Sequence, residues 1–252
     1  MKILIIHGSP RRGNTWDVLN IVKEKINKLI DVEYEIIELT KYKLKPCTGC
    51  FNCILKGEDR CPHYSDINYI TKKIDESDAI IITSPVYSLQ VSGILKNFID
   101  HMSYNFHRPR YFNKKALIIT TTAGVNEKEI ANYIGQVLSF WGINSIYKIP
   151  IKYRNNYLQK YEKHINKEII NFIEDLKSKK NKTPSLKNIV QYNSFKSMAM
   201  AISGEDSADY KYWKETNMCS MPYAEGIKIG KLKTLFSNSL YKILVKLMKP
   251  KK

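Results

Sequence analysis

The sequence predicts an α/β protein built as a doubly wound parallel sheet, and three observations carry that prediction. Apolar runs at residues 3–6, 79–83 and 116–121 are nearly unbroken, as strands buried on both faces require. Stretches with apolar residues at helical spacing lie between them, so strand and helix alternate. Three loops, at 9–15, 84–88 and 121–124, are rich in small or hydroxyl-bearing residues. In such a sheet, loops of this kind meet beyond the carboxyl ends of the strands, where ligands bind.

The elements follow in order. Residues 2–15, KILIIHGSPRRGNT, open the chain with a strand that ends in the polar turn His7, Gly8, Ser9 and Pro10. Asn14 or Thr15 then caps a helix reaching about residue 30, with Val18, Leu19, Val22, Ile26 and Leu29 on one face. Val32, Tyr34, Ile36, Ile37 and Leu39 predict a second strand. A cysteine-rich loop and a short helix over 66–76 come next. The strand at 79–83 ends in SPVYS, a helix covers 93–103, and RPRYFNKK reads as a loop. After the strand at 116–121, a helix over 127–140 leads to a fifth strand at 143–149. A polar helix over 155–180 completes five strands alternating with five helices.

The first loop carries the chemistry. A buried strand feeding a helix through small residues brings free N–H groups and the positive helix end together, which suits a phosphate. Ser9 and Thr15 add hydroxyl donors, and Arg11 or Arg12 a charge-assisted contact. A Walker A loop is excluded, because Gly8 and Gly13 are followed by Asn14 and no lysine. A dinucleotide fingerprint is excluded too, since Pro10 and Arg11 interrupt it. What remains suits a single terminal phosphate or an ordinary turn with no ligand. The convergence of three such loops favours the phosphate.

Cys47, Cys50, Cys53 and Cys61 form C-x2-C-x2-C-x7-C, followed by Pro62. So tight a repeat can wrap a small inorganic cluster, as in ferredoxin-type runs. Zinc usually takes two CxxC pairs with a longer spacer, and fits less well. A redox-active loop holding no metal is the third reading. Cys219 stands apart and reads as an ordinary thiol.

The chain has 252 residues, with 41 Lys and Arg against 24 Asp and Glu, a net charge of +17. Residues 181–252 hold 13 Lys and 5 acids, so positive charge is denser there than in the preceding part. Basic charge favours anionic partners. No nucleic-acid motif accompanies it, and no nucleic-acid function is expected. The amino-terminal apolar run is too short for a signal peptide, and no stretch approaches a spanning helix. A cytoplasmic protein with reduced thiols is expected.

GSPRRGNT, SPVY ahead of a helix ending LKNFID, and TTAG after the fourth strand together resemble the flavodoxin-like, NAD(P)H-dependent FMN reductases, in order over residues 1–180. The resemblance implies a flavodoxin-like five-stranded sheet of order 2-1-3-4-5 over 1–180, with a helical basic extension over 181–252. It implies FMN as cofactor and NAD(P)H as co-substrate. Ser9, Arg11, Gly13, Asn14 and Thr15 would hold the FMN phosphate. Pro85, Val86, Tyr87 and Ser88 would line the isoalloxazine ring, and Thr122, Ala123 and Gly124 would approach its polar edge. The cysteine motif is similar to that of the iron-sulfur flavoproteins of this family, which implies a [4Fe-4S] cluster on Cys47, Cys50, Cys53 and Cys61. His101, after Asp100, stands where the family often has arginine. His7 and His63 are expected to pack.

The implied activity is transfer of electrons from NAD(P)H through FMN to a flavin, quinone or nitro compound, or to an iron-sulfur centre. Flavin carries the reactivity, so no catalytic acid–base pair is needed. The alternative is a non-enzymatic electron carrier docking with redox proteins. Carriers of that kind tend to be acidic, and this chain is basic. A homo-oligomer, dimer or larger, is expected, because the family's flavin sites are commonly built at subunit interfaces.

In the extension, residues 180–187 read as a linker and 186–200 as a helix. An acidic patch at 205–209 and the aromatics Tyr210, Tyr212 and Trp213 follow. Residues 231–248 place Leu232, Leu235, Phe236, Leu240, Ile243, Leu244, Leu247 and Met248 at helical spacing, with Lys242, Lys246 and Lys249 opposite. A helix packed on the parent domain or a second subunit is expected. Contact with an anionic membrane and docking of a redox partner are the alternatives.

Overall fold

The apolar run at 3–6 forms the central strand β1 (Lys2–His7), and Ile3, Leu4, Ile5 and Ile6 are wholly buried. The structure is a computed structural model describing residues 1–155, 157–178 and 180–249. After β1 come α1 (Asn14–Asn27), β2 (Glu33–Glu38), the one-turn α2 (Asn52–Leu55) and α3 (Tyr64–Glu76). Then follow β3 (Ala79–Tyr87), the two-residue β4 (Gln90–Val91), α4 (Gly93–His101), the short α5 (Tyr104–His107) and β5 (Lys115–Thr122). α6 (Glu127–Phe140), β6 (Ser145–Lys152) and α7 (Tyr157–Ser178) complete the alternation. The extension forms α8 (Leu186–Ala201), α9 (Ala208–Glu215) and α10 (Lys231–Met248).

The parallel sheet runs β2-β1-β3-β5-β6, with β4 paired antiparallel to the end of β3. Setting β4 aside, this is the expected 2-1-3-4-5 order. Successive side chains of a strand point to opposite faces, so β1 serves two cores. Ile3 and Ile5 pack with Val18 and Val22 of α1 and Ile169 and Phe172 of α7. Leu4 and Ile6 pack with Ile70 of α3, Phe98 of α4 and Ile134 of α6. Each such side chain contributes about 1.5–3 kcal/mol by leaving water.

Three local expectations are corrected. The cap of α1 is Gly13, not Asn14 or Thr15, and it makes no side-chain hydrogen bond. Thr15 lies inside the first turn, and its hydroxyl meets that of Thr121 at 2.6 Å instead of capping. Strand β3 does not stop at residue 83 but runs to Tyr87, because Val86 and Tyr87 pair with Val91 and Gln90. Ser88 and Leu89 turn that hairpin with φ of +48° and +64°, a primed turn made without glycine. The fifth long strand begins at Ser145, not 143. Gly142 (φ +106°) and Ile143 close α6 by bonding Ser139 and Leu138 carbonyls, so the chain is still finishing a helix there.

The extension brings a third cluster, in which Ile189, Tyr192, Trp213 and Tyr223 enclose one another and pack on Phe112. It sits against the α5–α6 side, where Phe140 stacks on Phe106 and meets Phe195 edge-on. Among the described residues, no helix is long and apolar enough to cross a membrane.

Candidate functional site

The loop after β1 is held tightly from both sides. Gly8 N–H donates to the Thr83 carbonyl at 2.9 Å, and the Ser92 hydroxyl donates to the Gly8 carbonyl. A Cβ on Gly8 would sit 2.8 Å from that Thr83 oxygen and 2.9 Å from Leu95 Cβ, so only glycine fits. His7 packs as expected, with Nδ1 2.7 Å from the Thr83 hydroxyl and its ring edge-on to Trp16. Its burial lowers its affinity for a proton.

The two arginines of the loop divide. Arg12 turns outward, forms a two-pronged pair with Glu38 at 2.7 and 3.1 Å, and lies over the Trp16 ring. Arg12, with Lys41, holds the Glu38 carboxyl down to about 2. Arg11, also exposed, instead borders a cavity of about 210 Å3 at the start of α1, with its side chain lying beside Gly13. Ser9, Gly13, Asn14 and Thr15 share that wall. Ser9 Oγ donates to the Arg11 carbonyl at 2.7 Å and so shapes the turn.

The opposite walls come from the other two loops. Pro85, Val86 and Tyr87 line one side, and Thr121, Thr122 and Ala123 the other. Ser88 and Gly124 do not line the cavity: Ser88 is at the hairpin tip, and Gly124 N–H folds back on Thr122 Oγ1 at 3.0 Å. Two features of the third wall escape sequence reading. Tyr153 N–H donates to the Thr122 carbonyl at 2.7 Å, and Arg154 Nε donates to the Ala123 carbonyl at 3.0 Å. The loop after β6 therefore fixes the loop after β5.

The four cysteines lie together elsewhere, around a cavity of about 300 Å3 also lined by Pro62, His63, Asp100 and His101. α4 supplies the floor. Asn97 accepts from Cys47 N–H at 2.9 Å and donates to the Leu44 and Lys45 carbonyls, while His101 Nε2 meets the Lys45 carbonyl at 2.7 Å. Buried Arg108, just after α5, donates to the Cys53 and Ile54 carbonyls and pairs with Glu58. All four thiols are free of disulfides. Burial pushes the Cys53 and Cys61 thiols up, whereas the Asn52 N–H pulls exposed Cys50 down. The sulfurs share a cavity without converging: among the described residues, no three His, Cys, Asp or Glu groups are close enough to hold one ion.

The family model for NADPH-dependent FMN reductase matches residues 1–149. The chain belongs to this family. An iron-sulfur flavoprotein of Archaeoglobus fulgidus is 38% identical over 156 residues, 61% of this chain and 67% of that one. An iron-sulfur flavoprotein of Clostridioides difficile is 30% identical over 217 residues, 84% of this chain and 95% of that one. Other curated relatives are matched over about half of their length. An NAD(P)H:quinone oxidoreductase from Methanothermobacter marburgensis superposes with a TM-score of 0.52 at 16% identity, covering 71% of this chain and 97% of that one. At that identity it shares the fold alone.

The residues of this FMN reductase family member suit a flavin phosphate. The N–H groups of Asn14 and Thr15 open α1 with no intrahelical acceptor and no side-chain cap, beside an arginine that borders the cavity. The four thiols in the lining of the second cavity suit a cluster by their chemistry. Asn97 and Arg108 complete the second site, and sequence reading nominates neither of them; Thr121 lies in a loop that it does nominate, but its pairing with Thr15 is not foreseen. Their signal is weak, because each acts through a partner far along the chain.

Proposed function

We propose that the protein oxidises NAD(P)H through bound FMN and delivers the electrons to a small acceptor, with the cysteine loop as a second, one-electron outlet. The observation that carries the reading is the single cavity made by three strand-end loops at the uncapped start of α1. Bound FMN supplies the redox chemistry, accepting a hydride and releasing electrons singly or in pairs. The chain's own groups do the rest. Arg11 and the N–H groups of Asn14 and Thr15 would neutralise the phosphate. The Thr15 hydroxyl would donate to it while accepting from Thr121, and the Ser9 hydroxyl, donating to the Arg11 carbonyl, would shape the turn that holds it. Pro85, Val86 and Tyr87 offer an apolar wall to a flat ring, while backbone groups near Thr122 and Ala123 meet its polar edge. Ser88 and Gly124 act through the shape of their turns.

For the second site, Cys47, Cys50, Cys53 and Cys61 would hold a [4Fe-4S] cluster once the exposed loop at 45–51 draws its thiols inward. The names of the curated relatives and the shared cavity support this. We further assign residues 1–180 to the flavin domain and 181–252 to an extension, in a cytoplasmic homo-oligomer. The deciding experiment is anaerobic purification followed by flavin, iron and sulfide assays and NADH or NADPH turnover with quinone, nitro and flavin acceptors. Flavin with steady turnover supports the oxidoreductase. Flavin without turnover, restored by an added partner reductase, would favour the electron carrier. Absence of bound flavin after FMN addition would overturn the reading.

A further inference from the structure

The carboxyl-terminal helix presents two different faces. One is docked. Ser237 accepts from Asn193 of α8 at 2.7 Å and donates to the Pro222 carbonyl. Lys196 of α8 lies 4.2 Å from the Tyr241 ring centre, and Lys233 Nζ donates to the Pro184 carbonyl at 2.6 Å. These contacts fix the helix on the body, so its other face is outward by construction.

That outward face is apolar. Leu232, Leu235 and Leu247 are 83%, 65% and 75% exposed, and Phe236 and Ile243 are exposed beside them. At helical spacing these five side chains form one stripe along α10. Exposed Lys231, Lys242, Lys246 and Lys249 run along one flank of it. Residues 226–252 hold eight lysines and no Asp or Glu. None of this stripe lines the flavin or cysteine cavity.

Charge decides between occupants. A second copy meeting this face about a two-fold axis would set lysine against lysine, within a chain already at +17. A surface that accepts a leucine stripe and welcomes a lysine flank must be apolar within and anionic at its boundary. We infer that α10 is a docking helix for an anionic lipid bilayer, its leucine stripe entering the headgroup–acyl boundary and its lysines meeting the lipid phosphates. The helix lies in the plane of the membrane and does not span it.

The test is sedimentation of the full-length, FMN-loaded protein with vesicles of phosphatidylcholine alone or with phosphatidylglycerol. Partition onto the anionic vesicles should exceed that onto neutral ones by about tenfold or more, and should weaken in high salt. The triple variant Leu235→Ser, Ile243→Ser, Leu247→Ser keeps every charge and alters only solvent-exposed positions. It should lose about tenfold in partition while keeping its flavin content and circular dichroism. Replacing three exposed lysines far from α10 (Lys128→Gln, Lys163→Gln, Lys167→Gln) should change partition far less. Binding that survives the serine variant would be adsorption by net charge alone, and would overturn the inference. So would a wild-type oligomer that dissociates on the serine substitutions without vesicles, which would make the face an interface between copies. Failure to partition onto anionic vesicles overturns it outright.

Discussion

The carboxylate of Asp209, on α9, pairs with the guanidinium of Arg108, and Arg108 is the group that holds the Cys53 and Ile54 carbonyls. His107 Nδ1 bonds the other oxygen of the same carboxylate at 2.7 Å, and Trp213 Nε1 donates to the His107 carbonyl at 3.1 Å. The extension therefore reaches the cysteine loop through one buried ion pair. Removing Asp209 leaves a buried guanidinium with Glu58 as its remaining carboxylate. Asp209→Ala should destabilise the protein by about 3 kcal/mol, the lower end for breaking a buried pair. Urea denaturation reads the loss. Maleimide labelling of Cys53 in the native protein should accelerate in the same variant.

Arg11 and Arg12 are adjacent in sequence but face different ways, and the difference is measurable. Arg11→Ala removes a charged donor from the cavity and should weaken FMN binding roughly ten- to hundredfold, as loss of a hydrogen bond to a charged group does. Arg12→Ala breaks the Glu38 pair on the surface and should leave FMN affinity within about threefold. Titration of flavin fluorescence against each variant separates the two. Equal losses would contradict the assignment of Arg11 to the phosphate.

Cys53 is the most enclosed of the four thiols by its contacts, resting on Arg108 through its carbonyl and on the α4–α5 corner. Cys53→Ser should abolish iron and sulfide in anaerobically purified protein while leaving FMN bound, because the two cavities share no lining residue. Iron retained in full would remove Cys53 from the ligand set.

Glu38 gives a pH dependence of known sign. Its folded carboxyl is held at about 2 by the Arg12 and Lys41 partners, below the ordinary 4.5. The folded state thus binds fewer protons than the unfolded one between those values, and stability falls as the pH drops through that window. Above about 4.5 the contribution is complete. Glu38→Gln should flatten the acid limb of a plot of urea midpoint against pH, and leave the slope near neutrality unchanged.

The sheet was legible because burial on both faces leaves an unmistakable mark: Ile3–Ile6 and the run at 79–82 have no polar interruption to argue with. The cavity loops were legible for a related reason, since small and hydroxyl residues collect at strand ends. What sequence cannot carry is pairing across distance. The extension of β3 to Tyr87 depends on Val91 returning beside Val86, and nothing in Ser88-Leu89 announces a primed turn. Arg108 sits in a stretch that reads as plain loop, and Asp209 in one that reads as a solvated acidic patch. Their roles arise only when these two residues, 101 positions apart in the chain, have come together.

That separation gives the cysteine loop a timetable. Chains emerge from the ribosome amino end first, and domains form as they emerge. Asn97 and His101 are available to grip the loop early, as is Arg108, but the carboxylate that locks Arg108 arrives only when α9 has been made. Until then Arg108 has Glu58 as its carboxylate partner and lacks Asp209. The anchor of Cys53 is thus the last part of this corner to be supplied, whereas Cys47 and Cys50 stay open to solvent in the finished fold.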